Sequence, residues 1–442
     1  MSVDLHRLPA CQAALSLEND QLRVEQYAKA LLARIAARNP EVHAWAYIDH
    51  EFVLNQARTL DKIPVEKRGP LHGIPVAIKD IALTKDMPTR YNSDIYRGTT
   101  ASSVDAACVA TLRASGALLL GKTHTTEFAA TTEGGPCVNP HNAKHTPGGS
   151  SSGSAAAVAD FQAPLALGTQ TGGSVVRPAS YTGIYGFKPT WGAISREGLA
   201  QYSITCDTAG FFARDIDDFK LLAKAFDLED IPSKKFQLLG AKIGFLRTHV
   251  WDLAPAGPGL QGAWVKAKDL LTKHGANVEE IEWPDADFEK LTKWHWAIMN
   301  GEGRSAFYGH YQLDKKSLAS LIVSHVENKD NISRVNFLEA LDGSACLRPI
   351  WDSFSTQYDA IITPSVPDIA PEGLQFTGDA RFCQAWSLLH APCLNLPGFA
   401  GGKGLPIGLT LVAGRFHDRQ MLETGKIIGD IFEKEGGFDS KL

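Results

Sequence analysis

An α/β fold with a mixed sheet is what this sequence predicts, and three observations predict it. Short apolar, β-branched runs alternate with amphipathic stretches along the chain. Residues 240–285 read strand (KIGFLR), helix (GAWVKAKDLLTKHG), strand (NVEEIEW), the pattern of a βαβ unit. No run of about eighteen apolar residues occurs, so no membrane span is expected.

In chain order, VEQYAKALLARIAARN carries apolar residues at helical spacing, and a helix is expected over 23–38, ending near Asn39 and Pro40. Residues 70–84 read as a strand pair broken by Gly73 and Pro75. A helix over 104–115 closes at Gly116, and ALLLG then reads as a buried strand. From 146 to 192 glycine and hydroxyl residues surround short apolar runs. Such a tract suggests a linker by composition. The ordered pieces within it (AAAVAD, LALGT and YGFKPT) exclude that reading. Residues 285–375 are the least regular, and an insertion shaping a pocket is expected over about 285–380. YDAIITPSVP and LPIGLTLVAG read as buried strands, followed by a helix over 418–433.

Bulk properties exclude several classes. The charge of -5 makes no electrostatic case for nucleic acid. Seven cysteines, an odd number without a CxxC, read as reduced thiols in a cytoplasmic setting. MSVDLHRLPACQAALSLEND lacks the basic start and apolar core of a secretory signal.

Three motifs mislead. Gly116 to Thr123 matches GxxxxGK[ST], but three leucines fill what should be a phosphate-cradling loop. Gly149-Ser150-Ser151-Ser152-Gly153 fits GxSxG, yet a loop, HNAKHTPG, stands where a nucleophile elbow needs a strand. His141 and His145 have the spacing of a helical metal pair, which Pro140 and Pro147 disfavour.

Three further segments carry chemistry. In GIPVAIKD, Lys79 closes an apolar strand: it reads either as an exposed strand-end lysine or, held against the buried strand, as a desolvated amine whose lowered pKa suits it to act as a base. In TPGGSSSGS, glycines permit close backbone approach and the hydroxyls suit a proton relay. In GTQTGGSVVRPA, two glycines before Ser174 let successive N–H groups converge on one point, as an oxyanion hole requires. The same glycines suit an anion nest or a tight turn.

Together and in this order, these segments resemble the amidase-signature family. A lysine ends G-[IV]-P-x-x-[IV]-K-D, and a GGSS loop follows about seventy residues later. The GGS-[IV] serine lies 24 residues beyond the first serine of GGSS; here 174 minus 150 gives 24. GKTHTTEFA, YGFKPTWGAIS, DTAGFFARDIDD, YDAIITPSVPDIAP and PGFAGGKGLPIGLTLVAG also look like family segments, so the resemblance runs from about residue 25 onward.

The resemblance implies a single large α/β/α domain over 63–442, a mixed sheet flanked by helices, with a catalytic core at about 70–220 and a helical segment over 1–62. It implies Ser174 as nucleophile, Ser150 in a cis peptide as relay and Lys79 as neutral base. Backbone N–H groups of Thr171, Gly172, Gly173 and Ser174 would hold the oxyanion. Ser151 either bonds Lys79 or shapes the loop, the second being favoured. No cofactor or metal is called for, and a homodimer follows from family habit.

The chain departs from the family's D-[TS]-G-G-S-[IV]-R-x-P at two places, Gln170 for the aspartate and Val176 for the arginine. Loss of both partners suggests a buried pair replaced together; simple repacking of the loop is the other reading. Without the arginine a neutral substrate is favoured. The expected function is a stand-alone amidase for a small neutral, apolar or aryl amide, extending to esters, anilides or carbamates. Its expected partners are that small-molecule amide and no nucleic acid. Thr125–Gly135 and the 285–380 region, which carries Trp294, Trp296, Phe307 and Trp386, would wall the pocket; those aromatics equally suit an ordinary core, the favoured reading for any single one. The alternative is the glutaminase (A) subunit of a tRNA-dependent amidotransferase. A catalytically dead binding protein fits poorly, since all three side chains are present.

Overall fold

The structure is a computed structural model that describes residues 4–231, 235–254 and 256–442. The strands are β1 Trp45–Ile48, β2 Pro75–Lys79, β3 Leu118–Thr123, β4 Leu165–Gln170, β5 Tyr185–Lys188, β6 Thr208–Ala213, β7 Lys242–Leu246, β8 Asn277–Ile281, β9 Ala360–Pro364, β10 Cys393–Ala400 and β11 Pro406–Val412. They form one mixed sheet, ordered β1-β3-β2-β4-β6-β5-β10-β11-β9-β7-β8. The trio β3-β2-β4 is parallel, as is β9-β7-β8 at the other end, and antiparallel pairs join them. The βαβ unit read from 240–285 is present, with β7 and β8 flanking the helix Pro258–Lys273.

Burial explains the strand sequences. β2, β3, β4, β5, β6, β9 and β11 are buried at every position. A strand covered on both faces needs continuous apolar runs instead of alternation. The expected strand pair over 70–84 is the single strand β2. The stretch before residue 63 is not wholly helical: between Val24–Val42 and His50–Leu60 it supplies β1, which pairs with β3.

The expected irregular region over 285–375 is instead mainly helical, with helices Leu291–Ala306, Tyr308–Asp314, Ser320–Val326 and Arg334–Ser355. Its aromatics form core. Trp294 and Trp386 lie in one buried apolar cluster and Phe307 in another. Trp296, 39% exposed, donates to Asp330 at 3.0 Å.

One position tests the packing of the helix Ser152–Ala159, which carries the central serine-rich loop at its N-terminus. A Cβ added at Gly153 would meet Ala44 O at 2.2 Å and His124 N at 2.5 Å, both backbone atoms that cannot swing aside. Gly153→Ala is therefore expected to cost about 1–3 kcal/mol of stability. Urea unfolding checks this, through a lower midpoint at unchanged slope. An unmoved midpoint would contradict the packing described.

Candidate active site

The site stands at the C-terminal ends of β2 and β4, where a parallel pair leaves its loops converging. Ile78 is in register with Leu167, so Lys79 at the end of β2 comes beside Thr169 on β4. Ser150 and Ser151 precede the helix Ser152–Ala159, and the Gly149–Ser150 peptide is cis. Gly149 O accepts from Arg177 Nε and Nη2 at 3.2 and 2.7 Å, and Ser150 O accepts from Thr126 N–H at 3.2 Å.

Lys79 is fully buried. Its Nζ lies 2.7 Å from Ser150 Oγ, 2.9 Å from Ser151 Oγ and 2.9 Å from Thr169 Oγ1. A neutral amine has two N–H bonds and one lone pair. Ser151 donates its own proton to Thr169 O at 3.2 Å, which leaves Ser151 Oγ to accept from Lys79. If the second N–H of a neutral Lys79 goes to Thr169 Oγ1, its lone pair is left for the Ser150 hydroxyl. Burial holds Lys79 well below the ordinary lysine range. Asp207 pulls against this and Arg177 adds to it. The hydrogen bond to Lys79 corrects the favoured reading of Ser151 as only a shaper of the loop.

Ser174 sits in the turn between β4 and the short helix Val176–Thr182, with 7% of its surface exposed. Three successive carbonyls of this turn are held. Thr171 O accepts from His295 Nε2 at 3.0 Å, Gly172 O from Ser387 Oγ at 3.1 Å, and Gly173 O from Arg177 N at 2.9 Å. In a trans peptide the next N–H points opposite to the carbonyl. The N–H groups of Gly172, Gly173 and Ser174 are thereby turned away from those partners, and among the described residues they have no acceptor. That is the donor array an oxyanion site needs. Thr171 contributes differently: its hydroxyl donates to Asp207 at 2.6 Å. Burial pushes the Asp207 carboxyl up to about 6 against the bonds it accepts from Thr171, Tyr202 and Ser203.

Gln170 performs the task of an uncharged acceptor. Its Oε1 takes the N–H groups of Val175 and Val176 at 3.0 and 3.1 Å. The Val176 side chain is fully buried in an apolar cluster, and the Arg177 guanidinium binds the carbonyls of Gly149 and Gly378. Position 176 therefore faces packing, and its lack of charge carries no information about substrate.

A cleft of about 800 Å3 abuts Lys79 through Thr169. Its lining includes Thr171, Ser195, Arg196, Glu197 and Asp207; Ser174 lies outside that lining. The wall comes largely from 192–202, which sequence reading did not single out as pocket; Ala129 of the expected Thr125–Gly135 wall joins it. Thr169, His295 and Ser387 were also missed.

The misleading motifs resolve into structure. Lys122 of the phosphate-loop lookalike is buried on β3, 3.1 Å from Asp80. Among the described residues no histidine hydrogen-bonds the Ser151 side chain. His141 and His145 hold the carbonyls of Thr182 and Ala370. Among the described residues no group of three or more His, Cys, Asp or Glu could hold a metal, and no helix is long and apolar enough to cross a membrane.

The sequence profile of the Amidase family matches residues 26–422. The A subunit of glutamyl-tRNA(Gln) amidotransferase from Agathobacter rectalis is 31% identical over 95% of this chain and 93% of its own length. The protein of the same name from Acidothermus cellulolyticus is 39% identical over 64% of this chain, and the match spans 60% of that relative. Among solved structures, the peptide amidase of Stenotrophomonas maltophilia superposes with TM-score 0.78 at 26% identity, over 98% of this chain and 99% of that one. These relatives correct two expectations. The stand-alone amidase for a small neutral apolar or aryl amide gives way to the alternative, because both sequence relatives bear the name of the amidotransferase's A subunit. The partner set falls with it: a small-molecule amide alone, no nucleic acid and a homodimer do not describe a chain whose relatives are subunits of a glutamyl-tRNA amidotransferase. The physical error was to read substrate charge from Val176, a buried packing position.

Proposed function

The chain belongs to the amidase family and is an amide-hydrolysing enzyme, and from that premise we propose that it is the glutamine-hydrolysing A subunit of a tRNA-dependent amidotransferase, releasing ammonia for partner subunits. The observation that carries the chemistry is the buried Lys79 with its Nζ 2.7 Å from Ser150 Oγ. The full-length likeness to amidotransferase A subunits supports the assembly.

In this reading Ser174 Oγ attacks the side-chain amide carbon of glutamine. Its proton passes to Ser150 Oγ as the Ser150 proton passes to Lys79 Nζ. The oxyanion takes the N–H groups of Gly172, Gly173 and Ser174, with Thr171 at the edge of the array. The C–N bond then breaks, the proton returns through Ser150 to the leaving nitrogen, and ammonia departs from a glutamyl ester on Ser174. Water hydrolyses that ester by the same relay, freeing glutamate. Ser151 and Thr169 hold the amine in line, and Gln170 holds the turn.

Purified protein should release ammonia from glutamine, and Ser174→Ala should abolish it. Glutamine should also protect Ser174 from a fluorophosphonate. Faster turnover of anilides or aryl amides than of glutamine would overturn the reading.

The pH dependence has a definite sign. Only neutral Lys79 accepts a proton, so acylation rises with pH through the folded-state pKa of Lys79. Burial sets that below the ordinary lysine value of about 10.4. The rate of Ser174 labelling against pH measures it. A midpoint at or above the ordinary value would show that Lys79 is not the base.

A further inference from the structure

Strand register brings an acid to the edge of the turn that carries Ser174. Antiparallel pairing sets Gln170 of β4 opposite Thr208 of β6, so the next residues outward are Thr171 and Asp207. Asp207 is partly buried and stands in the cleft wall with Thr169 and Thr171. Its Oδ1 accepts from the Thr171 hydroxyl at 2.6 Å, and its Oδ2 accepts from the N–H groups of Tyr202 and Ser203 at 2.8 and 2.9 Å. Hydrogen bonds to an ionised carboxylate are of the strong kind. The relay of Ser174, Ser150 and Lys79 makes no use of this group.

These bonds close a ring. The helix Leu291–Ala306 holds the Thr171 carbonyl through His295. Two turns further on, its Glu302 carboxylate accepts from the hydroxyls of Ser203 and Thr205 and, at 3.1 Å, from Thr205 N–H. Arg196 Nη1 donates to the carbonyls of Ile204 and Asp207 at 2.7 and 3.0 Å. The 202–207 segment is thus fixed from outside, and Asp207 joins the Thr171 side chain to that fixed frame. Of the side chains that hold the turn, Ser387 and Gln170 are uncharged, and burial lowers His295 to about 4, so it too is neutral at physiological pH. Asp207 is the one that carries charge.

We infer that Asp207 is a positioning residue for acylation: by tying the Thr171 hydroxyl to the 202–203 backbone, it fixes the angle at which the N–H groups of Gly172, Gly173 and Ser174 meet the oxyanion. The inference rests on the relay described above and not on glutamine as substrate, because the turn serves any acyl group. The carboxylate has a second effect. Burial pushes it up to about 6, so it is ionised at neutral pH. Burial lowers the proton affinity of Lys79; the charge of Asp207 opposes this and Arg177 adds to it. Arg196 and Glu302 are the other charged groups around Asp207, while burial keeps the Tyr202 phenol and the Cys206 thiol protonated.

The test is the rate of fluorophosphonate labelling of Ser174 against pH. Time courses are run to completion, so unfolded molecules lower the extent and not the rate. Asp207→Leu and Thr171→Val each break the tie and should lower the high-pH plateau on the order of a hundredfold, the cost of a donor array misplaced by about 1 Å. Asp207→Asn retains it: the carboxamide oxygen accepts from Tyr202 and Ser203 while its NH2 donates to the Thr171 hydroxyl. Its plateau should stay close to that of wild type. Its midpoint should move to lower pH, because a charge that favoured protonated Lys79 is gone. Thr171→Val keeps the carboxylate, so its midpoint should not move. Wild-type plateaus in Asp207→Leu and Thr171→Val would overturn the inference; should Asp207→Leu not fold, Thr171→Val decides. An Asp207→Asn plateau as low as that of Thr171→Val, with the midpoint unmoved, would also overturn it and leave Asp207 as support for the fold. Failure to release ammonia from glutamine would fail the glutaminase reading and leave this inference standing. A wild-type rate that does not rise with pH would sink the relay and the inference together.

Discussion

Substituting Lys79 by alanine is expected to slow acylation of Ser174 by about 10²–10⁴-fold, the range that general acid–base catalysis supplies. The reason lies in the hydrogen-bond inventory. Three oxygens converge on Lys79 Nζ within 2.9 Å, and among the described residues no histidine hydrogen-bonds the Ser151 side chain. Removing the amine leaves Ser150 with no proton acceptor at that point. Fluorophosphonate labelling and ammonia release from glutamine should fall together. Lys79→Met, which retains the length of the side chain without its nitrogen, separates loss of the base from loss of packing and should be as slow. Labelling that survives both substitutions but disappears on replacing a histidine would sink the reading.

Placing arginine at Val176 should destabilise the protein by about 3–5 kcal/mol, the cost of a buried charge without a partner. Val176 is fully buried among apolar residues that include Cys383, Ala385 and Trp386. Gln170→Asp together with Val176→Arg tests whether an acid–base pair once spanned these positions. The double variant should be clearly more stable than the sum of the single changes. Thermal or urea unfolding of the three variants decides this. A Val176→Arg protein as stable as the parent would refute the account of the position.

The fold class and the family were legible from sequence for one physical reason. Buried parallel strands need unbroken apolar runs, and the glycine–hydroxyl segments are too particular to be linkers. The strand–helix–strand unit over 240–285 was readable because its periodicities are clean. The helices between 291 and 355 were not. Their apolar residues serve two separate clusters, and Gly301, Gly303, Gly343 and Pro349 break any single pattern. At the site, the glycine-flanked serines and the strand-ending lysine stand out locally. What holds them does not. Thr169 reads as one more residue of an apolar strand, and His295 and Ser387 lie more than a hundred residues from the carbonyls they bind. Only folding brings such partners into view. Arg177 was noticed for being one place out of register, but its carbonyl contacts had no sequence signal.

Gln170 has a consequence for conditions in which the protein can work. An aspartate holding the N–H groups of residues 175 and 176 would relax its grip once acid neutralised it, and dissolved salt would weaken it. A carboxamide has no proton to gain in that range and no net charge to screen. The hold on the N–H groups of Val175 and Val176 is thus indifferent to acidity and ionic strength, and reactivity lost on mild acidification should return in full when the medium is neutralised.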